Sequence, residues 1–215
     1  MNKINLLTKR IFDLLFGVLG LVLAFPLFIL IGIGIKLDSK GSVLFSQARL
    51  GLNKKPYNIY KFRTMVVNAE KMDAGIFSVK NDNRITRFGH LLRNTSLDEL
   101  PQFINIIKGD MSFVGPRPPV TYELGDLDDL TPEFNNRFRM KPGVTGLAQV
   151  NGRNALSWDE KVKYDNAYIQ IFEKAGVLID IKLILLTIAK VVNNEGGYET
   201  TENVEKDKQR INKKG

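Results

Sequence analysis

The run from Leu14 to Ile35, LLFGVLGLVLAFPLFILIGIGI, carries no charged side chain over 22 residues. No other feature constrains the fold as tightly. A spanning helix needs about 20 apolar residues to cross roughly 30 Å of hydrocarbon, so the run is long enough. A cleaved leader fits less well, because its apolar region is typically about 7–15 residues and ends at a small-x-small site. Two details complicate a plain span. Pro26, near the middle, removes a helix hydrogen bond and bends the axis. Basic residues flank both ends, Lys3, Lys9 and Arg10 before and Lys36 and Lys40 after, whereas a span usually keeps its positive excess on one side. The halves on either side of Pro26 have about 10 residues each and reach about 15 Å, roughly half the hydrocarbon core. The run is therefore expected either to enter one leaflet, turn at Phe25-Pro26 and leave on the same side, or to cross as a Pro-kinked helix. Length and charge leave both open.

The remaining chain is large enough for one domain with a real core: 215 residues in all, 44% of them hydrophobic. The formal net charge of +8 calls for an anionic partner: membrane, nucleic acid or phosphorylated substrate. No groove-reading motif accompanies the charge, so nucleic acid is not expected. There is no cysteine and one histidine, His90. That excludes disulfides, thiolate catalysis and Cys or His metal clusters, and His90 is read as a structural or surface residue.

Chemistry concentrates in residues 91–118, LLRNTSLDELPQFINIIKGDMSFVGPRP. Adjacent carboxylates Asp98 and Glu99 lie between Arg93 and Arg117. Arginines grip phosphate oxygens in a bidentate fork. A carboxylate can hold Mg²⁺ or attack phosphorus. Ser96 to Glu99 also fits a capping box, the purely structural reading of Glu99. Leu97, Leu100, Phe103, Ile104 and Ile107 have helical spacing for a buried face. Pro101 conflicts with one continuous helix and pushes Leu100 away from α geometry. Either the helix breaks there, or it starts at Pro101 with the acids on the entry turn. Both place Asp98 near a helix N-terminus, where the dipole favours its ionised form and a phosphate beside it. Three prolines around Arg117 hold its backbone stiffly.

Elsewhere, 41–65 reads as a β-hairpin turning near Gly51–Pro56, with Lys61 and Arg63 as either a solvated edge or an anion grip. Residues 68–80 read as a short polar helix, 81–89 as basic turns, and 123–130 as an acidic surface loop. Residues 158–168 look helical. Residues 176–192 are apolar yet carry Asp180, Lys182 and Lys190, which fits a helix on the membrane surface or packed on the core. Gln149, Asn151 and Arg153 offer donors to a sugar or uracil. The tail from 193 is polar and basic, expected to be solvated and disordered.

The motifs KR at Lys9-Arg10, the proline-interrupted apolar run, FSQARLG (Phe45–Gly51), YKFRTM (Tyr60–Met65), SLDELPQ (Ser96–Gln102), GDMSFVGPRP (Gly109–Pro118) and KPGVTGLAQVNGRN (Lys141–Asn154) occur in this order. Together they resemble the bacterial sugar transferases, monotopic phosphoglycosyl transferases acting on polyprenyl phosphate, and specifically the small single-domain type. The resemblance covers 9–154 almost continuously and extends loosely to about 190. It implies an α+β, mainly helical fold with a re-entrant membrane helix broken at Phe25-Pro26, a small hairpin and membrane-surface amphipathic helices. Residues 1–40 would be the membrane element, 41–192 the cytoplasmic catalytic domain and 193–215 the tail. It implies a UDP-sugar donor, a polyprenyl phosphate acceptor and Mg²⁺ held through Asp98. Asp98 would be the nucleophile of a phosphosugar–aspartate route that releases UMP, with Glu99 moving a proton or orienting the acceptor. Arg93 and Arg117 map to phosphate and nucleotide positions, with Lys61, Arg63 and Arg153 as further substrate contacts. The expected place is the cytoplasmic face of a bacterial inner membrane, with membrane lipids and a second copy of the chain as partners. A non-catalytic membrane scaffold binding anionic lipid is the alternative reading of the same charges.

Overall fold

In a computed structural model of the chain, residues 2–72, 82–152 and 155–192 and the single positions 203, 205 and 209 are described. Helix α1 (Lys3–Asp38) runs through Pro26 as one 36-residue helix, about 54 Å long at about 1.5 Å per residue. The expected break at Phe25-Pro26 does not interrupt the helical backbone. Packing on both sides of the proline holds the turns together despite the missing hydrogen bond, as described below.

Strands β1 (Leu44–Leu50) and β2 (Pro56–Phe62) form the expected antiparallel hairpin, in register from Leu44↔Phe62 to Leu50↔Pro56. Of the stretch 68–80, expected to be a short helix, the described residues show a 3₁₀ turn at Ala69–Lys71 followed by extended Met72; 73–81 lie outside the described residues. Helix α2 (Arg87–Asn94) begins inside the stretch read as turns. The sequence reading missed its cap, the Thr86 hydroxyl, which accepts from the Gly89 amide.

The acids lie on a 3₁₀ turn, Leu97–Glu99, before α3 (Gln102–Lys108). The version with the acids on the entry turn is therefore the one adopted. Leu100 nevertheless keeps right-handed helical geometry (φ −53°, ψ −37°). The Ser96–Glu99 capping box does not form, because Ser96 sits in the left-handed region (φ 55°) and its hydroxyl caps nothing. The box appears instead at Ser157–Glu160, opening α6 (Trp158–Ala175). The fully buried side of α3 is also not the apolar stripe: it consists of Gln102, Asn105 and Ile106.

Strands β3 (Ser112–Val114) and β4 (Gly143–Thr145) pair in parallel. Helix α4 (Pro132–Asn136) precedes β4, α5 (Leu147–Asn151) follows it, and α7 (Val177–Val192) comes after α6. One core, with Val114, Met140, Tyr168, Phe172 and Leu183, lies between β3 and helices α6 and α7. Another, with Leu50, Phe134, Phe138 and Trp158, closes the turn end of the hairpin. The fold is mainly helical with small two-stranded sheets.

Both ends of α1 are fastened to this body. At the N-terminal end Lys9 Nζ meets Asp180 Oδ2 of α7 at 2.5 Å, and buried Asp13 accepts from the Ser112 hydroxyl and the Phe113 amide. Arg10 donates to the carbonyls of Ile106 and Ile107, the last turn of α3, whose exposed carbonyls favour a cation. Gly17 and Gly20 let α3 approach, with Ile106 and Phe103 against them. At the other end Ile31 and Ile35 pack on Phe62 and Leu92, and Asp38 accepts from the Phe88 amide. The outward face of α1 remains apolar, with Leu15, Val22, Leu23, Phe25 and Leu30 exposed, and Leu178, Leu185 and Ile188 of α7 are exposed too. Of the tail, Asn203 donates to the Ala155 carbonyl.

Candidate active site

Asp98 is 9% exposed. Burial pushes its carboxyl up to about 6, with Glu99 adding to the rise and Lys61, Arg93 and its own backbone N–H opposing it. The helix dipole alone would favour ionisation; loss of hydration outweighs it here. Glu99 accepts from Lys61 Nζ at 2.7 Å, both side chains being 20% exposed. Arg93, on α2, donates through Nε to the Thr64 hydroxyl at 2.8 Å. The structure thus assembles Asp98, Glu99, Lys61 and Arg93 around one point where α2, β2 and the 3₁₀ turn meet.

Asn105 sets that meeting. It is fully buried, accepts from the Tyr60 amide at 3.0 Å and donates to the Asn58 carbonyl at 2.7 Å. These bonds lock β2 against α3 and so place Lys61 beside the acids. An asparagine inside an apolar helical stripe was the available signal for it.

Arg63 lies elsewhere. Its guanidinium is buried and donates to the Ser39 and Lys40 carbonyls, so it clamps the end of α1 rather than facing the acids. Arg153 is outside the described residues. Glu123, expected on an acidic surface loop, is buried: it accepts from the Val120 amide at 2.7 Å and lies 3.8 Å from Arg49. Asp126, Asp128 and Asp129 are exposed as expected.

Arg117 is half-buried at the other end of the hairpin, acting electrostatically on Arg49 and Tyr57. Tyr57 and Lys61 share a face of β2, being four residues apart, about 13 Å at about 3.3 Å per residue. Arg117 is therefore not beside the acids; a nucleotide's length separates the two ends of the strand. The Pro116–Pro119 turn and Leu50, Arg137, Phe138 and Met140 line a crevice at that end.

The acids are adjacent hard oxygen donors, one of them desolvated, with Lys61 and Arg93 beside them. Among the described residues no cluster of three metal-ligating side chains occurs. A divalent cation here would therefore take one or two carboxylates and share the rest of its shell with substrate phosphates and water, which is how Mg²⁺ is usually held.

The sequence profile described as "Bacterial sugar transferase" matches residues 4–194. The chain belongs to the bacterial sugar transferase family. It is 39% identical over 203 residues to a Klebsiella pneumoniae protein named UDP-glucose:undecaprenyl-phosphate glucose-1-phosphate transferase, covering 92% of this chain and 43% of that one. It is 37% identical over 195 residues to the uncharacterized sugar transferase EpsL of Bacillus subtilis, covering 91% of this chain and 92% of EpsL. The exopolysaccharide production protein ExoY of Sinorhizobium fredii is 37% identical, with 89% and 88% covered. This bacterial sugar transferase thus spans about two-fifths of the Klebsiella relative and most of the length of EpsL and ExoY.

Proposed function

We propose that this protein transfers a sugar-1-phosphate from a UDP-sugar to undecaprenyl phosphate and releases UMP. The observation that carries the reading is the desolvated Asp98 carboxyl, flanked by Glu99, Lys61 and Arg93. A carboxylate stripped of water is a stronger nucleophile than a hydrated one. The names of the relatives supply the substrate class.

In the first step an Asp98 carboxylate oxygen forms a bond to the β-phosphorus of the donor. The bond from that phosphorus to the bridging oxygen breaks, and UMP leaves with the electron pair. In the second step a phosphate oxygen of the polyprenyl acceptor attacks the same phosphorus and expels the Asp98 carboxylate. Lys61 and Arg93 hold the phosphoryl oxygens and offset their charge. Glu99 orients the acceptor phosphate or takes its proton. Arg117, a nucleotide's length away, grips the nucleotide portion. Mg²⁺, held through Asp98, would add charge neutralisation on the diphosphate.

Placement at a membrane follows from α1 and α7. The Arg10 and Asp38 ends of α1 both contact the same body, which supports an α1 whose two ends lie on one side of the membrane, the cytoplasmic one, where the nucleotide sugar is. The exposed apolar faces of α1 and α7 would lie in lipid.

The test is UMP release from a panel of UDP-sugars with Mg²⁺, with and without undecaprenyl phosphate. The expected result is a burst stoichiometric with enzyme in the absence of acceptor, and turnover only in its presence, both lost in Asp98→Asn. UMP release without a burst and with strict dependence on acceptor would replace the covalent route with direct transfer. No release from any donor would favour the scaffold.

A further inference from the structure

The turn Pro116-Arg117-Pro118-Pro119 has three residues without a backbone N–H, so it cannot hold itself together by its own hydrogen bonds. Every one of its carbonyls is nevertheless taken from outside. The Gly143 amide donates to Pro116 at 3.0 Å and the Leu50 amide to Pro119 at 3.0 Å. Arg137 Nη2 donates to Arg117 at 2.6 Å and Arg49 Nη1 to Pro118 at 3.0 Å. Two guanidinia therefore grip the two central carbonyls of the turn, one of them that of Arg117 itself.

Both guanidinia are fixed from behind. The Arg137 side chain is 1% exposed and pairs with equally buried Asp165 of α6 at 2.9 Å, its guanidinium lying 4.8 Å over the Trp158 ring. Arg49 donates to the Gln47 side chain and lies 3.8 Å from Glu123. A buried ion pair adds little stability over an apolar replacement of equal shape. One such pair, Arg137–Asp165, and the part-exposed Arg49 beside Glu123 converge on adjacent carbonyls of one turn, which points to a positional role.

We propose that Arg49 and Arg137 are positioning residues that set the place and direction of Arg117, and so the affinity for the donor's nucleotide portion, without touching substrate. This rests on the reading of Arg117 as a nucleotide contact. Lysine at either position keeps the charge but loses the planar fork that reaches both a carbonyl and its anchoring acceptor.

The experiment measures binding of UDP by calorimetry to the wild type, Arg117→Ala, Arg137→Lys and the double variant, together with donor KM and kcat. Arg137→Lys is expected to weaken UDP binding about tenfold and raise donor KM while kcat falls less than threefold. Added to Arg117→Ala it should change UDP binding less than twofold, because an effect exerted through Arg117 vanishes when Arg117 is gone. Equal weakening in both backgrounds, a fall in kcat rather than a rise in KM, or unchanged UDP binding in Arg137→Lys overturns the proposal. If Arg117→Ala itself binds UDP normally, the Arg117 reading fails and the inference falls with it. Should Arg137→Lys fold poorly, Arg49→Lys, acting on the neighbouring carbonyl from a part-exposed site, carries the same comparison.

Discussion

In the proposed route Asp98 meets two demands that oppose each other: it must lose water to attack phosphorus, and losing water raises its proton affinity. With its carboxyl pushed up to about 6, donor kcat/KM should climb through a limb near that pH and level off above it. A profile flat from pH 5 to 8 would count against Asp98 as the ionised nucleophile. Lys61 lowers the Asp98 pKa, so Lys61→Gln should move the limb upward as well as reduce the rate; a downward move would be inconsistent with the arrangement described. The folded carboxyl holds its proton more tightly than an unfolded one. Its contribution to stability is therefore present below about pH 4 and lost as pH rises through about 6. Asp98→Asn should accordingly leave Tm at pH 7.5 unchanged or higher while activity disappears, which separates catalysis from folding in one thermal scan.

At the scale of elements, the site depends on α2 seated against the end of the hairpin. A Cβ at Gly89 would lie 2.1 Å from the Thr64 carbonyl oxygen, and that oxygen also accepts from the Thr86 amide at 3.0 Å. Backbone cannot yield as a flexible side chain can. Gly89→Ala should therefore cost more than about 2 kcal/mol and pull Arg93 from Thr64. At Gly17 the nearest atoms, side-chain carbons of Ile106 and Ile107, are 3.3–3.4 Å away, and alanine there should be tolerated far better. Comparing the two denaturation midpoints checks this, and equal midpoints would rule out the seating described for α2.

Across the whole molecule the governing relation is between α1 and the body. In the proposed placement the two ends of α1 lie on one side of the bilayer, because Arg10 and Asp38 both meet the same body; a straight span would put them on opposite sides. The chain has no cysteine, so a single cysteine placed at Lys3 or at Lys40 gives a clean reporter. Both should react with a membrane-impermeant maleimide in inside-out vesicles and neither in right-side-out vesicles. Labelling from opposite sides would make α1 a span.

Much of this was legible in the residues because it depends on local chemistry. The hairpin follows from β-formers around Gly51–Pro56, and the apolar outer face of α1 from its uncharged run. What escaped depends on contacts between distant segments. Thr86 caps α2 with one hydroxyl among residues that otherwise read as turns. Asn105 looks like an interruption until β2 lies beside it, Glu123 like a solvated acid until Arg49 is opposite, and Arg63 like an anion grip until Ser39 and Lys40 turn their carbonyls toward it. The sequence alone determined which groups can ionise, donate or dissolve in lipid. Only the tertiary structure decided which of them lose water and which partners they meet, because hydration and Coulomb energies depend on distances that chain order does not contain.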